Sequence, residues 1–236
     1  MTFGSKSQAR PDPQTAEGHV LLDAARSRVL RRLASTLRHD LNSPLQAAVW
    51  AFDLVERGIA THPDEQQRAK IATSVDLGRR ELARLQNTVR LFVACAAPLD
   101  EMRESFDLRE VLGEIERLVA AEASLRDVHL TFKPQAEPLG MNGVRYQLRE
   151  ALLLLTLEAL DGAGHGGSVE VEPSQLSAGL QVHFSHAISG STPAARDGAA
   201  DLAERAVEAV AASHGGKVSR QDSPGRRDVL FEVARG

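Results

Sequence analysis

The chain has 236 residues, enough for one large or two small domains. Its 42% hydrophobic and 25% charged content is that of an ordinary folded, water-compatible protein. A net charge of −4 gives no electrostatic reason to expect a nucleic-acid partner, and the single cysteine, Cys95, excludes an internal disulfide.

Residues 1–17 are polar, contain Pro11 and Pro13, and lack the apolar centre of a signal peptide, so they read as a flexible tail. The longest apolar run, Leu91 to Ala97, is too short to span a bilayer. The expectation is a cytoplasmic protein in a reducing compartment, with no membrane contact and no transmembrane sensor of its own. Its signals then arrive through another protein.

From about His19 to Gly58 the pattern is helical. Leu30, Leu33, Leu37, Leu41, Leu45, Ala48, Phe52 and Val55 recur at three- and four-residue steps. Gly58 and Thr61-His62-Pro63-Asp64 break it. A second helix is predicted from about Asp64 to Ala97, with a coiled-coil seam of Ile71, Val75, Gly78, Leu82, Leu85, Val89, Phe92 and Ala96. Gly78 interrupts the apolar seam and predicts a close helix approach. Two amphipathic helices joined by a short loop bury too little surface alone, so two copies are expected to pair as a dimeric four-helix bundle.

After a hinge at Pro98 the pattern changes. Ser105 to Leu108 predicts a short strand running into a helix capped by Asp107, with the helix continuing to Leu125. Val128 to Phe132 alternates as a strand does. Val144 to Leu160 predicts a helix too apolar all round to be exposed. Ser168–Glu172 and Leu180–Ser185 are strand candidates, Ala199–Ser213 a helix ended by Gly215-Gly216, and Lys217–Arg220 with Val229–Val233 a closing hairpin turning at Ser223-Pro224-Gly225. The predicted class is α+β: an N-terminal helical hairpin over residues 18–99, then an α/β sandwich over 100–236.

The chemistry is concentrated in Arg38-His39-Asp40-Leu41-Asn42-Ser43-Pro44-Leu45. Neutral imidazole is a good nucleophile near pH 7. An adjacent carboxylate can hold one ring nitrogen and leave the other free to attack. Pro44 cannot complete the helical ladder and predicts a local bend that opens the histidine. This segment resembles the phospho-acceptor box of two-component histidine kinases. Phe106-Asp107-Leu108-Arg109-Glu110-Val111-Leu112, Gln147-Leu148-Arg149-Glu150-Ala151-Leu152 and Ser213-His214-Gly215-Gly216-Lys217-Val218 resemble, in that order, the ATP-binding domain of the same family. The resemblance covers about residues 20–235. It implies that His39 carries a phosphoryl group and that Asp40 orients the imidazole and takes its proton. It also implies that the Ser43 hydroxyl helps to position a hydrolytic water, although a bond from Ser43 back to a helix carbonyl explains that residue equally well.

The nucleotide boxes depart from the family. Glu158 stands where an asparagine normally coordinates magnesium, and Asp161 stands where a basic residue is common. Ser185 takes the place of the aspartate that reads adenine, with Ala187 and Ser189 in place of glycines. Asp197-Gly198-Ala199-Ala200-Asp201-Leu202 lacks the glycine amides that cradle phosphate. No productive ATP binding is expected. If nucleotide binds at all, Glu158, Asp161 and Ser185 are its contacts.

The combination looks like the ChpT-type histidine phosphotransferases, which join a helical-hairpin dimer to a degenerate ATP-binding domain. Implied partners are response-regulator receiver domains, a second copy of the chain and an upstream histidine kinase. Magnesium would come from the receiver, so no metal site is expected in this chain. An active soluble kinase with divergent boxes and a pseudokinase adaptor without phosphoryl chemistry are the alternatives. Arg26, Arg28, Arg31, Arg32 and Arg38 make the approach to His39 basic, which suits an acidic receiver pocket or a solvated helix face. His183 and His186 fall on opposite faces of a strand, against a shared metal. His165 and His214 read as turn residues, and Trp50 and Tyr146 as packing residues.

Overall fold

A computed structural model describes residues 13–59, 65–96, 102–187 and 198–235. The predicted tail up to residue 12, the first interhelical loop, the Pro98 hinge and the Ile188–Asp197 stretch lie outside the described residues.

Two long helices come first, α1 (Pro13–Ile59) and α2 (Glu65–Ala96). Helix α1 begins six residues before the predicted start at His19. Helix α2 packs back on α1, and at their crossing a Cβ at Gly78 would lie 3.5 Å from both the Ala51 methyl and the Phe52 ring. The apolar gap in the seam is therefore a point of close approach, as the sequence suggests.

The α/β part runs β1 (Glu104–Asp107), α3 (Leu108–Leu125), β2 (His129–Phe132), β3 (Gly140–Gly143), α4 (Arg145–Ala163), β4 (Ser168–Gln175), β5 (Gly179–Ala187), α5 (Gly198–Ser213), β6 (Lys217–Ser223) and β7 (Arg226–Ala234). Five strands form a mixed sheet in the order β2-β4-β5-β7-β6, parallel only between β2 and β4. β1 and β3 make a separate antiparallel pair. Sequence periodicity missed β3, whose Gly-Met-Asn-Gly offers one apolar side chain to pattern on.

Local chemistry fixes the ends of these elements. The Asp107 carboxylate accepts from the Arg109 N–H at 3.0 Å and the Leu139 N–H at 3.2 Å, capping α3 and tying it to the β3 approach. Such a cap contributes about 1 kcal/mol. At the end of α5, Gly215 takes φ 67°, and the Gly216 N–H returns to the Ala211 carbonyl. The β6–β7 turn uses Pro224 and Gly225, the latter at φ 76°.

The core lies between the sheet and α3, α4 and α5. Phe184, Phe231, Leu148, Leu152, Leu153, Leu155 and Leu160 are all fully buried there. Each such side chain contributes roughly 2 kcal/mol of transfer free energy. Helix α4 is buried around most of its circumference because the sheet, α3, α5 and the first half of α1 all pack on it. Leu22, Ala25, Val29 and Leu33 of α1, whose contact with the α/β part is chiefly with α5, join the same apolar cluster. Leu22, Ala25, Val29 and Leu33, expected to belong to the hairpin, thus pack against the α/β part. Among the described residues no helix is long and apolar enough to cross a membrane.

Candidate functional site

His39 and Asp40 lie within α1, and their side chains are outside the described residues. Around them the helix is described. Pro44 is inside α1 and its ring is buried, while Ser43 beside it is exposed. Proline has no N–H to offer the carbonyl four residues back, so the ladder lacks the bond to position 40. Positions 32 and 39 are seven residues apart, about 20° short of two full turns and about 10 Å along the axis.

The basic run before His39 is only partly an approach for a partner. Arg32 grips Asp161 of α4 with both guanidinium ends, at 2.7 and 2.8 Å, while its Nε donates to Glu122 of α3 at 2.6 Å. Arg126 joins the same two carboxylates, at 2.7 Å from Asp161 and 3.1 Å from Glu122. Burial opposes ionisation of Asp161, but the bonds and charge of Arg32, and then of Arg126, outweigh it and hold the carboxyl below the usual carboxylate range. In the second turn of α4, the pKa of buried Glu150 is pushed up by desolvation, with the charges of Arg149 and Arg26 opposing that rise. Asp161 is therefore an anchor for α1. It is neutralised by this chain's own arginines.

Glu158 is engaged as well. Its carboxylate is 3.8 Å from Arg220 of β6, which also meets Glu204 at 3.2 Å and Glu208 at 3.4 Å on α5. Asp161 and Glu158 thus share one helix but serve different arginine clusters. Among the described residues no group of three His, Cys, Asp or Glu side chains is placed to hold a metal.

The third predicted contact, Ser185, points the other way. On β5 it shares a face with His183, whose Nε2 lies 2.8 Å from Asp228 Oδ1, and Ser185 itself bonds the same carboxylate. Phe184, between them in sequence, is in the core. His186, one residue on, turns to the helix side, is 3% exposed, and lies against Gly162 of α4. A one-residue offset on a strand exchanges faces, so the residue facing α4 at this level is His186. The separation of His183 from His186 is as the strand period requires.

His186 Nδ1 is buried without a hydrogen-bond partner among the described residues. Burial, and next the Arg227 charge, lower the His186 pKa, against smaller pulls from Asp222 and Asp228. His214 is buried too, which a reading from turn composition could not anticipate. Its Nε2 accepts from the Val144 N–H at 3.1 Å, and its Nδ1 is 2.9 Å from the Val210 carbonyl. That pair of bonds requires the neutral ring with the proton on Nδ1. Burial lowers its pKa, the Val210 carbonyl opposing. His165 is in an exposed turn. Tyr146 packs on the core, but Trp50 is 73% exposed, so the packing role expected of it within one chain is not met.

No protein-family model matches the chain. The chain is 25% identical over 210 residues to the sensor histidine kinase ZraS of Klebsiella oxytoca, covering 84% of this chain and 44% of that protein. It is 22% identical over 159 residues to sporulation kinase A of Bacillus subtilis, covering 67% of this chain and 24% of the kinase. It spans less than half the length of either relative. A solved histidine kinase from Burkholderia phymatum is 20% identical, with a TM-score of 0.48 over 89% of this chain and 98% of that one. The chain is histidine-kinase-like in sequence.

Proposed function

We propose that this protein is a histidine phosphotransferase of two-component signalling, of the ChpT type, that passes phosphoryl groups between response-regulator receiver domains through His39. The kinase-like sequence supports the signalling class. The choice of relay over kinase rests on one observation: Glu158 and Asp161, the acidic residues at the helix of the first nucleotide box, are both engaged by internal arginines. A carboxylate bound to arginine is a poor starting point for a magnesium–triphosphate site, because that partner must first be displaced.

In the proposed reaction a neutral His39 nitrogen attacks the phosphorus of a phospho-aspartate. The P–N bond forms as the P–O bond to the aspartate carboxylate breaks. Asp40 orients the ring and takes the proton it releases. A second receiver aspartate then attacks phosphohistidine, and the imidazole leaves and recovers a proton. Magnesium belongs to the receiver in this scheme, and Ser43, exposed one turn on, would assist water in a hydrolytic branch.

The proposal includes a homodimer through α1 and α2. Leu45, Val49 and Phe52 form an exposed stripe on α1, and Val89 and Val93 remain exposed on α2. Exposed apolar positions at helical spacing on both helices are what a second hairpin would cover.

Incubation with a phosphorylated receiver should label His39, and incubation with ATP and magnesium should not. Labelling from ATP would favour the soluble-kinase alternative. Partner binding with no phosphohistidine from either source would favour the adaptor.

A further inference from the structure

His183 of β5 and Asp228 of β7 lie on the sheet face opposite the helices, since their chain neighbours Phe184 and Val229 point into the core. The imidazole Nε2 is 2.8 Å from Asp228 Oδ1. An ionised carboxylate only accepts, so the neutral ring carries its proton on Nε2 and presents a lone pair at Nδ1. Among the described residues nothing hydrogen-bonds to that Nδ1, and the side chain is 28% exposed. Asp228 is itself fixed. Desolvation opposes its charge, but the bonds from His183, Ser185 and Arg226 outweigh it and hold the carboxyl below the usual carboxylate range. Arg226 gives Asp228 its Nε, at 3.2 Å, and among the described residues its terminal nitrogens make no bond. His183, Asp228 and Arg226 line a cavity of about 590 Å³, within the range of small-molecule sites. Gln221 and Ser223 of β6, paired with Asp228 and Arg226, line it too, as does Ser219.

We propose that His183 is a phosphoryl-accepting histidine separate from His39, and that it takes the phosphoryl group of a small acyl phosphate bound in this cavity. The cavity wall identifies the ligand class. The free ends of the Arg226 fork match phosphoryl oxygens, and two hydroxyls and an amide satisfy the rest. The donor is an acyl phosphate because a P–N bond has high transfer potential, which an ordinary phosphate ester does not supply. Nδ1 attacks phosphorus, and the P–N bond forms as the P–O bond to the acyl group breaks. The carboxylate leaves, and the ring becomes an imidazolium with its proton still on Nε2. Asp228 is a positioning residue: it fixes the tautomer and stabilises that cation. Glu172, across from His183 on β4, is held by Lys133 at 2.9 Å and adds no free charge. The other described histidine side chains lack this arrangement. His186 and His214 are each 3% exposed, and exposed His129 and His165 have no carboxylate partner among the described residues. The donor is a free small molecule, so the site is independent of the relay proposed for His39.

The full-length protein, incubated with acetyl phosphate and magnesium and then mapped by mass spectrometry at alkaline pH, tests this. His183 should be phosphorylated at least tenfold more than His129 or His165. Ring nitrogen NMR of the neutral imidazole should place the proton on Nε2 in the parent and show mixed tautomers in Asp228→Ala, whose labelling at His183 should be at least tenfold slower. No phosphate on His183, equal labelling of His129 and His165, or parent-rate labelling in Asp228→Ala would each overturn the proposal. If Asp228→Ala loosens the sheet, Arg226→Gln decides. A folded variant that needs several-fold more acetyl phosphate supports the site, and an unchanged concentration dependence overturns it.

Discussion

Gly162 of α4 and His186 of β5 meet with no space for a side chain between them: a Cβ on the glycine would overlap the imidazole Nε2. The ring is held between the sheet and the helix and is 3% exposed, so it has little freedom to move aside. In an exposed helix Gly→Ala gains roughly 1 kcal/mol. At this position overpacking should reverse the sign.

Gly162→Ala is therefore expected to destabilise the fold by about 1–3 kcal/mol in urea unfolding. In a His186→Ala background the same change should become neutral or stabilising. Equal effects in both backgrounds would show that the ring and the glycine are not coupled.

Stability should fall as pH drops below about 6.5, the ordinary histidine value. The folded pKa values of His186 and His214 are both lowered, chiefly by burial. Their contribution is complete above the unfolded value and is lost as the unfolded chain takes up protons on the way down to the folded values. Each histidine adds a slope of at most about 1.4 kcal/mol per pH unit in that window. Glu150, whose pKa is raised, works in the opposite sense above its ordinary value. Comparing the parent with His214→Ala cancels it. The variant should be less stable at pH 8 and show a flatter dependence between pH 6.5 and 5; an unchanged slope would place the charged form of His214 in the folded state.

Most of the elements were readable from the sequence, because leucine spacing, the Asp107 cap and the Pro224-Gly225 turn are local signals. Their observed bounds differ from expectation by a few residues. The covering of α4 was half legible: its uniform apolarity required burial on every side, but nothing in a period of 3.6 reveals that α1 joins α3, α5 and the sheet around it. The fork of Arg32 with Asp161 joins residues 129 apart in sequence, and charge pattern along one helix cannot reveal such a partner. Arginines counted as an approach to His39 proved to include one committed to the fold. Strand parity separates His183 from His186, but it does not say which of the two faces α4.

The exposed stripe on the hairpin predicts a dimer in solution at micromolar concentration. Leu45→Glu with Val49→Lys should shift light scattering towards the monomer mass while leaving the α/β core folded. A parent protein that scatters as a monomer would remove the four-helix bundle from the account.

Titration of ATP with magnesium should show no affinity tighter than about millimolar, roughly 4 kcal/mol of binding. Calorimetry is the direct measurement. Micromolar binding would mean that Glu158 and Asp161 exchange their arginine partners for a nucleotide, and would favour the kinase alternative.

The central claim is that His39 carries the phosphoryl group. The deciding measurement is transfer between two receiver domains, one phosphorylated at the start, in the presence of the parent protein or His39→Ala. Alanine is a good helix former, so the variant should keep its helical content and its receiver docking. The account predicts that transfer and phosphohistidine are both lost in His39→Ala, and that Asp40→Asn retains docking but transfers more slowly. Transfer by the His39→Ala protein at the parent rate would contradict it.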